Sequence, residues 1–110
     1  MKTFMGLVIA GAAVMLLSAP AWAGNKHVDE AIHHAKEAVE HGNAGHADIA
    51  VKHAEGALKH AQAAQKEMKN PHLDEGVKHL EEAIDHGKQG HADAVAKHAD
   101  TAVMHLSEVK

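Results

Sequence analysis

The 110-residue sequence predicts an all-α fold, an antiparallel up-down four-helix bundle made of two duplicated αα-hairpins. Residues 27–65 align with residues 72–110 without a gap, and seventeen of the 39 aligned pairs are identical. Each copy carries small apolar residues at helical spacing and one short turn bracketed by glycines. Four short helices cannot bury their apolar faces singly, which favours a bundle. A long two-helix hairpin, whose duplicated halves do not pack fully together, is the alternative.

The first 23 residues are predicted to be a secretory signal peptide. A charged start precedes the apolar run 6–17, and "AWA" at 21–23 supplies the small residues of a cleavage site after Ala23. An uncleaved membrane anchor is the alternative, but the run is shorter than the roughly 20 residues that cross a bilayer. We therefore predict an exported domain, 24–110, with repeat one at 27–65 and repeat two at 72–110.

Within each copy the composition predicts helix, turn and helix. Alanine, glutamate, lysine and leucine dominate, and β-branched residues are few. Gly42 and Gly87 follow the last histidine of the first helix of each copy, where a left-handed residue often ends a helix. Asn70 and Pro71 separate the copies, because proline keeps the preceding residue out of helical geometry.

The composition excludes several classes of function. The chain has no cysteine, so disulfides and thiolate metal ligands are excluded. It has no arginine, and its lysines alternate with acids, whereas nucleic-acid binding usually needs a basic face. A net charge of −4 together with thirteen histidines suits cations.

Twelve of the thirteen histidines occupy matched positions in the two copies, and each predicted helix carries three of them seven residues apart. Only His33 lacks a counterpart, because Lys78 stands opposite. Histidine is a middling helix former, so helix propensity does not explain this register. We predict that the twelve are metal ligands: His27, His34, His41, His46, His53, His60, His72, His79, His86, His91, His98 and His105.

Two histidines seven residues apart on one helix cannot share an ion. They are about 10.5 Å apart along the axis, whereas nitrogens bound to one ion at roughly 2.0–2.1 Å are at most about 4 Å apart. Carboxylates three or four residues away are one source of further ligands. We predict Glu30, Glu37, Glu75 and Glu82 as these auxiliary ligands.

The partner helix is the other source. Antiparallel pairing about each glycine-bracketed turn places the histidines of the two helices at matching levels. The two lines can converge on the seam or both turn away from it, and the sequence leaves this open. The level pairs are His41 with His46, His34 with His53 and His27 with His60, then His86 with His91, His79 with His98 and His72 with His105.

The ligand types favour Cu(II) most, with Ni(II) and Zn(II) also suited to imidazole and carboxylate. There is no H-E-x-x-H motif, and the chance Glu30-x-x-His33 match to half of a di-iron motif is not repeated in the second copy. We therefore expect no enzymatic activity. The alternative function is a pH-responsive helical interaction or chaperone-like protein, since crowded imidazoles repel when protonated.

Four segments carry a resemblance to a known family: "HVDEAIHHAKEAVEHG", "GHADIAVKHAEGALKH", "HLDEGVKHLEEAIDHG" and "GHADAVAKHADTAVMH". Over residues 27–106 the chain resembles the small metal-binding protein family, SmbP, of bacterial periplasmic copper-binding proteins. The resemblance implies a monomeric helical bundle that takes up several divalent ions, chiefly Cu(II), in copper sequestration or buffering. The closing "LSEVK" carries no histidine, which implies fewer terminal sites than in members with histidines near the ends.

Overall fold

A computed structural model describes residues 24–110, and the predicted signal peptide, 1–23, lies outside the described residues. The described part contains four helices and no strand, so the all-α prediction is confirmed. No helix between residues 24 and 110 combines the length and apolar character needed to cross a bilayer. The helices are α1 (Lys26–Asn43), α2 (Ala47–Gln65), α3 (Pro71–Lys88) and α4 (Ala92–Ser107).

The four helices pack as a ring in which sequence neighbours are antiparallel. Helix α1 contacts α2 and α4, and α3 contacts α2 and α4, so each hairpin packs against the other. The predicted four-helix bundle is therefore confirmed, and the alternative of loosely packed halves is wrong. Helices α2 and α4 also contact each other across the diagonal. Every buried residue of α2 is an alanine, which keeps its side chains short at this approach.

The two hairpins begin in the same way, with an asparagine cap. The side-chain oxygen of Asn25 accepts hydrogen bonds from the backbone N–H groups of His27 and Val28, at 2.8 and 3.2 Å. Asn70 caps α3 equivalently, and Pro71 follows at the first helical position. Proline suits that position, because its missing N–H would have no partner within the helix. The Asn70-Pro71 pair thus separates the copies by starting α3.

The prediction that Gly42 and Gly87 are left-handed cap residues is wrong. Both are buried inside helices, because α1 and α3 each continue one residue beyond them. The left-handed residues are instead Gly45 and Gly90, with φ of +83° and +84°, in the two turns. Glycine adopts this conformation without the steric cost that a Cβ atom would impose. The second glycine of each turn therefore reverses the chain.

Gly42 has a different role, which is to let two helices approach. A Cβ atom added to it would lie 2.9 Å from the carbonyl oxygen of Ala92 and 2.9 Å from the amide nitrogen of Ala96. At Gly87, an added Cβ would overlap the side chain of Val51 on α2. Gly42 and Gly87, the first glycine of each turn sequence, are thus sites where two helices pack closely.

The core is made mainly of alanine. The largest fully buried side chains are Leu73, Leu80, Leu106 and Val95. Three of these four lie in a cluster at the end of the bundle that holds the start of α1, whereas the cluster nearer the turns is mostly alanine. Burying a large aliphatic side chain contributes about 1.5–3 kcal/mol, and alanine contributes less. The apo bundle is therefore built on modest hydrophobic stabilisation.

Candidate metal centres

The two lines of histidines in each hairpin converge on the seam between its helices. In the first hairpin, rings from α1 and α2 alternate along the seam, with neighbouring centroids 5.1–6.0 Å apart. In the second hairpin the spacing is 5.0–6.1 Å. We call these the first and second ladders. Their orders are His27, His60, His34, His53, His41 and His46, then His72, His105, His79, His98, His86 and His91.

All six predicted level pairs are neighbours in the ladders, but the diagonal contacts between levels were not predicted from the sequence. The rings of His34 and His60 stack at 5.7 Å, and those of His41 and His53 at 5.1 Å. Helical side chains tilt toward the N-terminus of their own helix. In an antiparallel pair these tilts are opposed, so rings that start one level apart lean toward each other. The tilt of helical side chains toward the N-terminus is therefore the signal from which the diagonal contacts, and so a continuous ladder, could have been predicted.

At the outer end of each ladder, two imidazole nitrogens are close enough to share an ion. The Nδ1 atoms of His27 and His60 are 3.2 Å apart, and those of His72 and His105 are also 3.2 Å apart. Two nitrogens bound to one ion at roughly 2.0–2.1 Å, with an angle of about 90–110°, lie about 2.9–3.4 Å apart. The apo geometry of the end pairs fits this chelation distance.

Nearer the middle of each ladder, carboxylates join the histidines in four groups of three. In each group one ligand atom from every residue lies within 4.8 Å of the others. All four glutamates named from the sequence take part. The groups are Glu30, His34 and His60; His34, Glu37 and His53; Glu75, His79 and His105; and His79, Glu82 and His98.

The inner carboxylates reach across the seam to the partner helix. An oxygen of Glu37 on α1 is 3.0 Å from Nδ1 of His53 on α2. In the second hairpin, one oxygen of Glu82 is 3.3 Å from Nδ1 of both His79 and His98. Neither α2 nor α4 supplies a carboxylate to any of the four groups. The α1 and α3 glutamates are therefore the only carboxylates in these four groups, and each group spans both helices of a hairpin.

Three ladder nitrogens are buried and make no hydrogen bond within residues 24–110, namely Nδ1 of His34, His79 and His86. The 3.3 Å contact of His79 Nδ1 with Glu82 is close but lacks hydrogen-bond geometry. Buried polar atoms normally have partners, and an unpartnered one calls for an explanation. A bound cation would supply that partner. At His79, the lone pair of Nδ1 and the carboxylate of Glu82 could both point at such a cation.

The ladders lie at the edge of the core and keep access to solvent. The side chains of His53, His79 and His98 are 23–29% exposed, and those of Glu37 and Glu82 are 36% and 43% exposed. These rings and carboxylates are therefore only partly buried. The exposed parts of these rings and carboxylates are therefore open to ions from solvent.

Half of the twelve predicted histidines have ring neighbours but belong to none of the three-ligand groups. Two of them, His46 and His91, are the N-cap residues of α2 and α4, yet their side chains make no capping hydrogen bond. N-caps favour Asn, Asp, Ser and Thr. A ring directed to the ladder replaces the usual cap at both sites. The six are His27, His41, His46, His72, His86 and His91.

His33, the histidine without a counterpart, lies beside the first ladder. Its side chain is 65% exposed, and its Nε2 is 3.5 Å from an oxygen of Glu37. Its ring meets that of His34 edge-on, with the centroids 5.7 Å apart. It belongs to none of the four groups.

Comparison with protein families places the chain in a known one. The model of a family described as small metal-binding protein matches residues 1–109, nearly the whole chain. A search of curated proteins finds no match. The match agrees with the resemblance drawn from the four histidine-containing segments.

Proposed function

Because the chain belongs to the small metal-binding protein family, we propose that it binds several divalent transition-metal ions, chiefly Cu(II), and sequesters and buffers them in the periplasm. The observation that carries this proposal is the pair of histidine ladders, each with six rings on one seam and two carboxylate-containing groups. A single resident ion would need only one such group. The repetition favours a capacity for several ions.

The donor set favours Cu(II). Every group consists of imidazole nitrogen and carboxylate oxygen, and the chain contains no cysteine. Such ligands suit Cu(II), Ni(II) and Zn(II), and Cu(II) binds most tightly in the usual order of divalent ions. The same set would take Ni(II) and Zn(II) more weakly.

The arrangement supports buffering rather than catalysis. The ligands are partly exposed along an open seam, so ions can enter and leave without unfolding. Metal catalysis instead uses a dry, shaped site that holds substrate beside an open coordination position. We therefore propose a monomeric binding protein without enzymatic activity, whose partners are metal ions.

The periplasmic assignment depends on the sequence of the first 23 residues and on the family. The charged start, apolar run and "AWA" motif fit a signal peptide, and the family match extends over this segment. Cell fractionation followed by N-terminal sequencing tests it. We expect the protein in the periplasmic fraction with Gly24 as its first residue, and a cytoplasmic protein that retains Met1 would contradict it.

Calorimetric titration with Cu(II), Ni(II) and Zn(II) at pH 7 tests the binding function. We expect more than one Cu(II) per chain, with weaker heats and affinities for the other two ions. Binding of no more than one ion of any of the three would overturn the proposal.

The end pairs give the pH-responsive alternative its specific support. If both Nδ1 atoms of His27 and His60 carried protons, two donors would face each other at 3.2 Å. A pH sensor would lose helicity between pH 7.5 and 5 whether or not a chelator is present. A metal buffer predicts instead that helicity or thermal stability rises with added ion. Circular dichroism of the same sample separates the two functions.

A further inference from the structure

The two carboxylate-containing groups of each hairpin share one histidine. In the second hairpin, His79 belongs to the group with Glu75 and His105 and also to the group with Glu82 and His98. Its ring lies almost midway between theirs, with centroids 5.7 Å from His105 and 5.8 Å from His98. One ring is therefore the common member of two candidate sites.

The two nitrogens of His79 face different groups. Its Nε2 is 3.9 Å from an oxygen of Glu75, whereas its Nδ1 is 3.3 Å from an oxygen of Glu82. Ligand atoms on one ion are at most about 4.2 Å apart when each bond is roughly 2.0–2.1 Å. Each nitrogen is thus within chelating distance of a different carboxylate.

The first hairpin repeats the sharing of one ring, here that of His34, although among the described residues only His79 has a carboxylate oxygen within 4.0 Å of each of its nitrogens. That ring is shared by the groups containing Glu30 with His60 and Glu37 with His53, and the centroids of His60 and His53 are 5.7 and 6.0 Å away. The Nδ1 atoms of His34 and His79 are both buried without a hydrogen-bond partner among the described residues. The duplication therefore preserves the shared ring and its unpartnered nitrogen.

We propose that His34 and His79 each bridge two Cu(II) ions, one through Nδ1 and one through Nε2. This inference rests on the proposed metal-binding function. The first ion binds the neutral ring through one lone pair. When the second ion binds, the remaining N–H proton passes to solvent, and the imidazolate presents one lone pair to each ion. The two ions then lie about 6 Å apart, given metal–nitrogen bonds of roughly 2.0–2.1 Å and the width of the ring.

Bridging makes the central sites of a hairpin a coupled pair. If the shared ring could serve only one ion, the second site would be left with one histidine and one carboxylate. A bridge lets both groups keep all three of their ligands. The unpaired electrons of two Cu(II) ions interact through an imidazolate, which lowers the electron paramagnetic resonance (EPR) intensity per ion.

The test is frozen-solution EPR of the protein loaded stepwise with Cu(II), with bound copper measured by equilibrium dialysis. Acid release of each sample gives its Cu(II) total, which excludes loss of signal through reduction. We expect the integrated spin of the native sample to fall clearly below bound Cu(II) near saturation, with a half-field line from coupled pairs. The double variant His34→Gln/His79→Gln should bind less copper and return a spin equal to its bound Cu(II).

The matched control is His33→Lys, which introduces the residue that the second copy carries at position 78. We expect it to retain the spin deficit, although it also removes a histidine. Several bound Cu(II) ions with full spin in the native protein would overturn the bridge and leave the metal-binding function standing. Binding of one ion or none would overturn the function itself. Helicity of the double variant is checked by circular dichroism, and if it unfolds, the native spin deficit and half-field line alone decide.

Discussion

The Nδ1 atom of His27 lies 3.2 Å from the Nδ1 atom of His60, although the residues are 33 positions apart in the sequence. His72 and His105 repeat the relationship at the same distance in the second hairpin. Two imidazole nitrogens this close are compatible when one carries a proton and donates a hydrogen bond to the other, or when a cation lies between them. The duplication has therefore preserved the atomic geometry of this histidine pair as well as the helix order.

The first prediction concerns the unequal roles of the two residues in that pair. His60 also belongs to the group with Glu30 and His34, whereas His27 belongs to none of the four groups. His60→Gln should therefore weaken Cu(II) binding in the first hairpin more than His27→Gln. We expect a difference of at least about tenfold, since even changes around a ligand cost 10–100-fold in affinity. Competition against a copper chelator of known affinity measures this difference, and equal losses would contradict the additional role of His60 in the group with Glu30 and His34.

The helices and their pairing could be predicted because they depend on patterns within one chain segment. The 45-residue offset and the glycine-bracketed turns set the level pairs, and the level pairs are neighbours in the structure. The predicted position of the left-handed residues was wrong because each turn is flanked by two glycines, such as Gly42 and Gly45, and either could adopt a positive φ. Gly42 instead lies against the backbone of Ala92 and Ala96, and no local pattern reveals such a tertiary contact.

The site was predicted in composition but not in connectivity. The register identified the histidines, and the i−4 and i+3 spacing identified the glutamates that the structure groups with them. Whether the lines meet on the seam depends on the rotation of each helix about its axis. That rotation is set by which small residues pack in the core, such as Ala54 and Ala57 on α2. The diagonal contact of His34 with His60 follows only once the rotation is known.

The second prediction concerns the carboxylate shared across the second seam. One oxygen of Glu82 is 3.3 Å from both His79 and His98. Glu82→Gln preserves the shape of the side chain but removes its negative charge, which attracts a divalent cation. We therefore expect Cu(II) affinity to fall in the second hairpin. Glu81→Gln is the matched control, because Glu81 is exposed and belongs to none of the groups. Isothermal titration of both variants gives the comparison, and an equal effect would show that only net charge matters.

The third prediction is that metal strongly stabilises the fold. Ligand that binds only the folded state adds about 2.7 kcal/mol at a free concentration of 100 times Kd. In a domain of this size, 1 kcal/mol shifts Tm by about 4–8 °C. A Cu(II)-saturated sample should therefore melt at least about 10 °C above the apo protein, and a chelator should reverse the shift. Thermal melts followed by circular dichroism measure it, and identical melting with and without ion would contradict coupling of binding to folding.

The last prediction contrasts two helical glycines. Gly42→Ala places a Cβ 2.9 Å from the backbone atoms Ala92 O and Ala96 N, which cannot rotate away as a side chain could. Overpacking of this kind costs about 1–3 kcal/mol, which exceeds the roughly 0.8–1.0 kcal/mol that alanine gains over glycine in a helix. The difference is a net loss of up to about 2 kcal/mol in the free energy of unfolding, which urea denaturation of the apo protein measures.

Gly56→Ala is the matched control for that loss. Its Cβ would lie 3.4 Å from Nδ1 of His34, an ordinary contact, so the helix-propensity gain should dominate. The apo protein should become more stable by up to about 1 kcal/mol. Because the new methyl group narrows the space around His34, Cu(II) affinity should fall even as apo stability rises. A lower free energy of unfolding for Gly42→Ala and a higher one for Gly56→Ala would show that the two glycines have different surroundings. Gly42 lies against the backbone of α4, whereas Gly56 lies against the side chain of His34. Losses of equal size in the two variants would contradict this difference.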